Sequence, residues 1–425
     1  MACLCAIAAL QVKAQAQNPI SPMGVYIADP TARVCPDGKM YVYGSLDKTP
    51  GRYCSERYHV LSSPDLKDWK LYPNSLVWNE ILFAPDMMYK DGTYYLYYDT
   101  PNGDEFVAVS DTPEGPFKDG VKIEGPQQID PNIFIDDDDQ AYYFWGQFSA
   151  KGAKMNPDLK TLDLSTVTDS IVTEKDHFFH EGSYVIKRGK YYYYTYAHIG
   201  RNHRPTCIGY AMATSPLGPY TYKGVIVDNA GCDPEVWNNH GSLVEYNGQW
   251  YVFYHRATHG SQSMRKACVE PIHFNEDGTI DEVEMTSQGA GGPLDAFAGI
   301  DAARACWLSG NVRIRLTAGR DDREELGAIR SGDKAVWKYL DFGRGARRVS
   351  LRVHSEAGGS ILLRTDGPEG EVIGKVDVPP GGDMTDVSAK IKKVKGVQAL
   401  WMEFKGAGAS DKDLFSLDKF SFSRR

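Results

Sequence analysis

Three acidic residues stand out because each lies in a short apolar segment beside an aromatic-rich run. Asp29 and Asp130 each precede a proline, and Glu181 follows the aromatic run at 178–180. Apolar surroundings favour the neutral form of one carboxyl group, while polar neighbours keep another ionised, so one site can hold both an acid and a base. Hydrolysis of a glycosidic bond needs such a pair. One carboxyl protonates the leaving oxygen, and the other activates water or attacks carbon.

A single Asp-Pro step is weak evidence for a catalytic residue. It is common in turns, where the carboxylate caps backbone groups. Two such steps at matching positions of a repeat, together with a glutamate in an apolar run, favour the functional interpretation. The elements that carry these side chains must then bring them together.

An internal repeat occupies the first two-thirds of the chain. Five turn signals are each followed by an aromatic-rich strand, at Asp37-Gly38, Asp91-Gly92, Asp138-Asp139, Arg188-Gly189 and Asn247-Gly248. Asp-Gly and Asn-Gly between apolar runs are strong hairpin signals. The period of about 50 residues is typical of a four-stranded propeller blade. The pattern predicts a five-bladed β-propeller whose inner strands converge on one central pocket.

A different pattern begins after a small-residue linker near residue 290. Short alternating strands follow, for example at 335–340, 348–353 and 399–404, and they suit a β-sandwich of the jelly-roll type. The prediction is an all-β fold with few helices. Its boundaries are a signal peptide over 1–17, a propeller over 18–290 and a sandwich over 295–425.

Composition and the N-terminus narrow the function classes. The formal charge of −9 argues against binding to a nucleic-acid backbone, which demands a basic surface. Residues 2–10 are apolar and precede Ala14-Gln15-Ala16, a pattern that signal peptidase cuts, so we expect a secreted or periplasmic protein. No later stretch has the ~20 apolar residues of a membrane span. We expect a monomer.

Six cysteines follow the expected leader. They show no C-x-x-C pair, which makes zinc or redox chemistry improbable. Their wide spacing favours buried thiols. If one disulfide forms, the nearest candidates are Cys35 and Cys54.

The residues over roughly 20–290 resemble glycoside hydrolase family 43. The resemblance rests on five motifs in order: Ala28-Asp29-Pro30, Phe83-Ala84-Pro85-Asp86, Ile129-Asp130-Pro131-Asn132, His180-Glu181-Gly182 and Asn239-His240-Gly241-Ser242. It implies an inverting mechanism with Asp29 as general base, Glu181 as general acid and Asp130 as the carboxylate that orients the acid. Ser183 departs from the family, because many relatives have proline there.

The resemblance also implies further site residues. His240 corresponds to a histidine on the propeller axis that commonly holds a hydrated calcium ion, and Arg265 to an arginine that reaches the terminal sugar. On sequence alone, Arg265 is equally compatible with a surface charge, whereas a lone histidine such as His240 is more often a turn or core residue, and only the resemblance makes the ligand role as compatible as the structural one. Trp78, Phe83 and Trp145 have rings that could stack on a sugar, although such residues are more often part of the core.

The C-terminal region resembles a family 6 carbohydrate-binding module. Leu340-Asp341-Phe342-Gly343 and Leu417-Asp418-Lys419-Phe420 carry this resemblance, and both are framework segments. The segment 381–385, expected to be a loop, has Met384 where a ring-stacking tryptophan is expected. A structural module and a glycan binder therefore both remain open.

These observations predict an exo-acting, inverting glycosidase that releases α-L-arabinofuranose or β-D-xylose from plant-type glycans, with no organic cofactor. A galactofuranosidase or exo-galactanase is the alternative within the fold. A non-catalytic glycan-binding propeller and a retaining, transferase-like propeller with Asp29 as nucleophile are the alternatives from other classes.

Overall fold

The computed structural model describes residues 17–355, 357–406 and 412–425. Residues 1–16, which hold nearly all of the expected signal peptide, lie outside the described residues. The fold is all-β: within the described ranges a single short α-helix, α1, occurs at Glu174–His177, with Thr173 as its N-cap. None of the described helices is long and apolar enough to cross a membrane.

The first two-thirds of the chain form five antiparallel sheets, each built from consecutive strands. The first contains β1 (Tyr26–Val34), β2 (Met40–Asp47), β3 (Ser55–Ser63) and β4 (Lys70–Leu82). The second contains β5 (Asp86–Lys90), β6 (Thr93–Asp99), β7 (Asp104–Ser110) and β8 (Lys118–Gln127). The third contains β9 (Asn132–Ile135), β10 (Ala141–Trp145), β11 (Lys151–Met155) and β12 (Leu162–Thr168).

The fourth sheet contains β13 (Phe179–Arg188), β14 (Tyr191–His198), β15 (Cys207–Ala213) and β16 (Thr221–Asp228). The fifth has three strands, β17 (Ser242–Tyr246), β18 (Gln249–Thr258) and β19 (Ser261–Ile272). The repeat predicts four strands for every blade, and this blade differs. After β19 the chain turns back over the fourth sheet, where Val283 forms a parallel bridge with Val227.

The five predicted hairpin turns join the first and second strands of the five sheets. Asp37-Gly38 links β1 to β2, and Asn247-Gly248 links β17 to β18. Gly38 has a φ of 77° and Gly248 a φ of 79°, the left-handed conformation that glycine adopts without steric cost. Each of the five turns has a residue in this conformation, which is glycine in four blades and Asp139, with a φ of 64°, in the third.

Apolar side chains join each blade to the next. Tyr43 and Tyr58 of the first blade share a buried cluster with Leu96 and Tyr98 of the second. Similar clusters join the second blade to the third, the third to the fourth and the fourth to the fifth. A further cluster packs the fifth blade against the first, as the cluster members Ile27 and Phe253 show, so the sheets form a closed five-bladed propeller.

A buried ion pair ties three blades together near the axis. Asp86, which is 1% exposed, accepts hydrogen bonds from the Arg33 guanidinium at 2.6 Å, from Asn132 Nδ2 at 2.7 Å and from the Ile133 N–H at 2.9 Å. Asn132 Oδ1 in turn accepts the N–H of Val185 on the fourth blade at 2.9 Å. Because Asn132 lies two residues after Asp130, this network fixes the segment that carries a candidate catalytic carboxyl.

The C-terminal region is a sandwich of two six-stranded sheets. One sheet contains β20 (Leu294–Asp295), β22 (Trp307–Ser309), β25 (Lys334–Asp341), β27 (Gly359–Arg364), β28 (Val372–Val378) and β30 (Val397–Lys405). The other contains β21 (Ile300–Asp301), β23 (Arg313–Leu316), β24 (Glu324–Gly327), β26 (Ala346–Ser355), β29 (Gly381–Val394) and β31 (Phe415–Ser423). One 3₁₀ turn, at Gly289–Gly291, precedes β20, and another, at Ala302–Arg304, follows β21.

The sandwich packs directly on the propeller. Val336 and Cys306 join the buried cluster of the fourth and fifth blades. Lys266 of β19 forms a buried ion pair with Glu324 of β24 at 2.6 Å, with both side chains at most 3% exposed. The propeller and the sandwich are therefore held together by an apolar contact and an ion pair as well as by the chain that connects them.

Cys35 and Cys54, the candidate pair for a disulfide, do not form one. The six cysteines in the described part of the chain are free and buried. Cys35 packs in the cluster between the first two blades, whereas the Cys54 thiol faces the Arg265 guanidinium at 3.5 Å. The alternative expectation of buried thiols is the one that the structure shows.

Candidate active site

A cavity of about 380 Å³ opens on the propeller axis and brings the three candidate carboxyls together. It is lined by residues of all five blades and of the loops beside them: Asp29, Tyr53, Cys54, Phe83, Ala84, Ile129, Asp130, Gln147, His180, Glu181, Trp237, Asn238, His240, Gln262 and Arg265. Asp29 comes from the first blade, Asp130 from the third and Glu181 from the fourth. The ring is therefore what makes them neighbours.

Asp29 lies in β1 at an irregularity between Ala28 and Thr31, with a left-handed φ of 50° that turns it out of the ladder. Its carboxylate accepts hydrogen bonds from Arg265 Nη1 at 2.8 Å and from Ser45 Oγ at 2.7 Å. Burial raises the pKa of Asp29, but the adjacent Arg265 charge outweighs it and holds that pKa well below its usual range. Asp29 is thus a buried carboxylate that stays ionised.

Asp130 has a similar backbone and the opposite electrostatics. Its φ is 59°, and its Oδ2 accepts the N–H of Gly182 at 2.8 Å, directly beside Glu181. Burial raises the pKa of Asp130 well above its usual range, and the charges of Glu181 and Asp29 add to the effect. Asp130 therefore positions the backbone next to Glu181 and favours holding a proton.

Two further acids are buried behind Asp130. Asp99 Oδ1 accepts the Asp130 N–H at 3.3 Å, and Glu105 is the residue paired with Asp99 on the neighbouring strand. Both are fully buried. Burial raises the pKa of Glu105 to about 8 and that of Asp99 well above its usual range. These carboxyl groups add little negative charge beneath the cavity at neutral pH.

Glu181 lies in β13 where the register shifts on both sides of it, and Gly182 follows with a φ of 78°. Such bulges re-aim a side chain. The amide of Gln147 donates to Oε2 at 2.9 Å and that of Asn238 donates to Oε1 at 3.1 Å. Each oxygen is therefore held by one neutral donor, which fixes the carboxyl plane and leaves room for a proton directed at a bound substrate.

His240 lies at the base of the cavity between the two aspartates. Its Nδ1 is 3.8 Å from Asp29 Oδ1 and 4.0 Å from Asp130 Oδ1, and its ring packs on Gly182. Burial lowers its pKa. In the described ranges, no group of three or more histidine, cysteine or acidic side chains is arranged to hold a metal ion. Calcium takes six to eight oxygen ligands, so His240 alone does not make a calcium cage.

Arg265 is a wall of the cavity rather than a surface charge. It is 2% exposed, and its Nε and Nη2 donate to the Asp47 carboxylate at 2.9 and 3.1 Å while Nη1 donates to Asp29. The Tyr53 ring covers the guanidinium, 4.8 Å from its centroid. This planar, fully paired arrangement fixes the Asp29 carboxylate.

Of the three aromatic residues proposed from sequence, only Phe83 lines the cavity. The structure corrects the other two. Trp78 packs on Tyr98 and Phe106 in the cluster between the first two blades, with ring centroids 5.6 Å apart in each pair. Trp145 is 2% exposed in the core between the second and third blades. Both rings contribute to blade packing, and neither lines the cavity.

Sequence reasoning missed five residues of the cavity wall, namely Tyr53, Gln147, Trp237, Asn238 and Gln262. Trp237 and Asn238 immediately precede the singled-out Asn239-His240 pair, so extending that motif would have found them. Tyr53 and Gln147 come from loops between strands, and Gln262 lies at the start of β19, so no periodic pattern marks them as pocket residues.

Two family models match the chain. "Glycosyl hydrolases family 43" matches residues 16–280, and "Carbohydrate binding module (family 6)" matches residues 301–424. The first covers the propeller with all three carboxyls, and the second covers nearly the whole sandwich.

Similar proteins agree with both models. A "Xylosidase/arabinosidase" of Thermoclostridium stercorarium is 30% identical, covering 96% of this chain and 99% of its own. The structure of an arabinoxylan arabinofuranohydrolase from Bacillus subtilis with cellotetraose has a TM-score of 0.56 at 25% identity, covering 96% and 97% of the two chains. A calcium-free β-xylosidase/α-arabinofuranosidase from a compost metagenome, with xylotriose, has a TM-score of 0.55 at 29% identity, covering 63% and 98%. The chain therefore belongs to glycosyl hydrolases family 43 and is a glycoside hydrolase.

Proposed function

We propose that the protein is an exo-acting, inverting glycosidase in which Asp29 is the general base, Glu181 the general acid and Asp130 the residue that orients the acid. The observation that carries this proposal is the difference between the carboxyls in one cavity. Arg265 keeps Asp29 ionised, while Glu181 is held by two neutral amides. An acid and a base in different electrostatic settings are what glycosidic hydrolysis requires.

The base acts on water. Asp29 Oδ1 and Oδ2 already accept hydrogen bonds from Arg265 and Ser45, and each oxygen keeps a further lone pair. A water bound there loses its proton to Asp29 as its oxygen attacks the anomeric carbon. The attack comes from the side opposite the leaving group, so the product has the inverted anomeric configuration.

The acid acts on the leaving oxygen. As the glycosidic bond breaks, the Glu181 carboxyl transfers its proton to that oxygen, and the released alcohol leaves through the mouth of the cavity. The Asp130 carboxyl holds the Gly182 N–H and so fixes the backbone next to Glu181 throughout.

The substrate that we propose is a terminal α-L-arabinofuranose or β-D-xylose on a plant-type glycan, with the arabinofuranoside preferred. A cavity of about 380 Å³ is near the lower end of ligand pockets, ~300–1,000 Å³, and suits one terminal sugar rather than a chain running through. The names of the similar enzymes, xylosidase/arabinosidase and arabinoxylan arabinofuranohydrolase, support this class.

A panel of nitrophenyl glycosides tests the substrate. The arabinofuranoside should be cleaved fastest, the xyloside next, and the galactofuranoside and galactopyranoside slowly or not at all. Proton NMR of the first product should show inversion. A retained anomer would contradict the mechanism and favour Asp29 as a nucleophile, whereas a preference for galactofuranoside would contradict the substrate class.

The Glu181→Gln variant separates catalysis from binding. It should lose turnover while keeping the wild-type unfolding transition and the capacity to bind oligosaccharide. If Glu181→Gln retains full activity, the acid is another residue. If the wild type binds glycans and hydrolyses none, the protein is a binding propeller.

We propose that a hydrated calcium ion binds at His240, with water supplying most of its ligands. The similar compost enzyme has a calcium-free form, which is consistent with a calcium-bound one in that protein. When bound here, the ion would add positive charge beneath Asp29 and Asp130 and stabilise their arrangement. Metal analysis of the purified protein, with activity before and after chelation, tests it, and a metal-free protein of full activity would refute it.

We also propose that the protein is exported and acts as a monomer. A glycan polymer is degraded outside the cytoplasm, which is consistent with the apolar pattern at 2–10. Cell fractionation tests the location, and light scattering of the eluting peak tests the monomer. A cytoplasmic fraction or a dimeric mass would overturn the corresponding proposal.

A further inference from the structure

A chain of hydrogen bonds connects Asp29, the proposed base, to Glu181, the proposed acid. It passes through Asn238 and through His255, a residue that has no role in the reaction described above. The N–H of Asp29 donates to His255 Nδ1 at 3.1 Å. His255 Nε2 lies 3.0 Å from the backbone oxygen of Asn238 and 3.2 Å from its Oδ1. Asn238 Nδ2 then donates to Glu181 Oε1 at 3.1 Å. The path leads from the first blade through the fifth to the fourth, and of its residues only His255 does not line the cavity.

The hydrogen bonds along this path determine where the His255 ring carries its proton and how the Asn238 side-chain amide is oriented. The backbone oxygen of Asn238 can only accept, so His255 Nε2, which lies 3.0 Å from it, carries a proton. His255 Nδ1 faces both the Asp29 N–H, which donates to it at 3.1 Å, and Asp29 Oδ1 at 3.4 Å. Nε2–H therefore donates to the two Asn238 oxygens. With Oδ1 engaged by the ring, the Asn238 amide has one orientation left, in which Nδ2 faces Glu181.

The surroundings give this path rigidity. His255 is fully buried in the middle strand of the fifth blade. Asn229 Nδ2 donates both to the Asn238 backbone oxygen at 2.9 Å and to the His255 oxygen at 2.8 Å, which holds the two residues side by side.

We propose that His255 is a positioning residue that fixes the amide of Asn238, and that Asn238 holds the Glu181 carboxyl in alignment with Asp29. This inference rests on the proposed function, because it assigns Glu181 as the acid. Its consequence is specific: loss of the path should impair protonation of the leaving group more than binding of the sugar.

Substitutions at both positions test the path. Asn238→Ala and His255→Phe should each lower kcat about 10- to 100-fold, as expected for loss of a hydrogen bond to a charged group, with KM changed little. If His255 acts through Asn238, the double variant should be within about threefold of Asn238→Ala alone. Losses that multiply would overturn the proposal.

The leaving group provides a readout that a merely structural role would not move. Phenyl glycosides need more acid assistance than dinitrophenyl glycosides, because phenol is the poorer leaving group. Both variants should therefore lose more activity on the phenyl substrate. Equal losses on the two substrates would contradict a role in positioning the acid.

Two further variants keep the test decisive if His255→Phe does not fold. Asn238→Asp preserves size but presents an oxygen where Nδ2 donates, so it should lose at least as much activity as Asn238→Ala; wild-type activity would overturn the proposal. The matched control is His198→Phe, which replaces another buried histidine, whose Nδ1 accepts the Gly200 N–H at 3.1 Å away from the cavity. It should retain wild-type kcat, and an equal loss there would indicate general core disruption.

Failure of the proposed function would give a different result. If the wild type hydrolyses no glycoside, the function is wrong, and the path is then tested by the free energy of unfolding of the four proteins in the double-variant series. Non-additive losses of stability support the contact between His255 and Asn238, and additive losses refute it.

Discussion

Asp29 and Asp130 are alike in sequence and different in chemistry. Both precede proline, both have a left-handed φ and both are 6% exposed. They differ in their hydrogen-bond partners. The Arg265 guanidinium donates to Asp29, whereas Asp130 lies beside Glu181 and its Oδ2 accepts the backbone N–H of Gly182. The same dipeptide thus supplies an ionised carboxylate in one blade and a carboxyl of raised pKa in another.

Replacement of the base should remove activity. Asp29→Asn keeps the size of the side chain but cannot accept a proton from water, so kcat should fall about 100- to 10,000-fold, the usual contribution of a general base. Steady-state kinetics on nitrophenyl arabinofuranoside measure this. Asp158→Asn, at an exposed turn, is the control and should match the wild type. Wild-type kcat for Asp29→Asn would exclude it as the base.

Glu105 should make the protein less stable at alkaline pH. Its pKa rises from 4.5 to about 8 on burial, so the folded state holds a proton that the unfolded state has lost over this interval. Stability therefore falls as pH rises from 4.5 towards 8, by about 5 kcal/mol for this group. Urea unfolding at pH 5 and pH 9 should show a smaller decline for Glu105→Gln than for the wild type. Parallel declines would show that Glu105 is not protonated in the fold.

For single residues, the sequence predicted which side chains belong to the site better than it predicted which other residues they contact. The three carboxyls, Phe83 and Arg265 all reach the cavity. Trp78 and Trp145 do not, since an aromatic residue in a strand has the same local pattern whether it faces a blade or a pocket. The pairing of Arg265 with Asp29 spans 236 positions and leaves no local signal.

Among the elements, the inner strands hold the site through shared polar contacts. Asp86 receives hydrogen bonds from Arg33, Asn132 and the Ile133 N–H, and it thereby joins β1, β5 and β9. Its carboxylate is almost fully buried, whereas Arg33 is 16% exposed. The contact is therefore a buried ion pair of the kind whose rupture is costly.

Removal of Asp86 should loosen the ring. Asp86→Ala leaves the Arg33 charge and two amide donors without this acceptor, so the free energy of unfolding should fall by about 3–5 kcal/mol. Denaturant unfolding checks this value. Asp158→Asn again provides a variant of an acidic residue outside the network. A loss below about 1 kcal/mol would mean that water replaces the carboxylate, as in exposed ion pairs.

Strands and turns were predicted correctly where the same turn signal repeats along the chain. They were predicted wrongly where pairing with a distant strand determines the local structure. All five hairpin turns join the predicted strands. The segment 381–385, expected to be a loop, lies in β29, where Met384 pairs with His354. The resemblance to the carbohydrate-binding module suggested a loop, but pairing with β26 draws the segment into the sheet. The three-stranded fifth blade likewise depends on where the chain leaves the ring.

For the whole molecule, the contact between propeller and sandwich includes a histidine. The backbone N–H of Leu316 donates to the ring nitrogen Nε2 of His259 at 3.1 Å. The backbone N–H of His259 donates to the backbone oxygen of Ile314 at 2.8 Å. Burial lowers the pKa of His259 from 6.5 to about 4. Protonation of Nε2 would remove the acceptor that Leu316 uses, so the neutral ring is the one that joins the two parts.

Acid should therefore weaken this contact. The unfolded state binds a proton near pH 6.5 and the folded state only near pH 4. The stability from His259 is thus complete above pH 6.5 and lost as pH falls towards 4, by about 3 kcal/mol. Urea unfolding from pH 7 to pH 4 should show a shallower decline for His259→Gln than for the wild type. Identical declines would exclude His259 as the source.

The order of the chain has one more consequence for biosynthesis. Asp29 is made early, but the two side chains that prepare it, His255 and Arg265, follow 226 and 236 positions later. A nascent polypeptide whose fifth blade has not yet been made, or any fragment cut before that blade, has the base without the groups that organise it. Hydrolytic competence therefore arises only when the two ends of the propeller meet, and release of sugar reports completion of the ring.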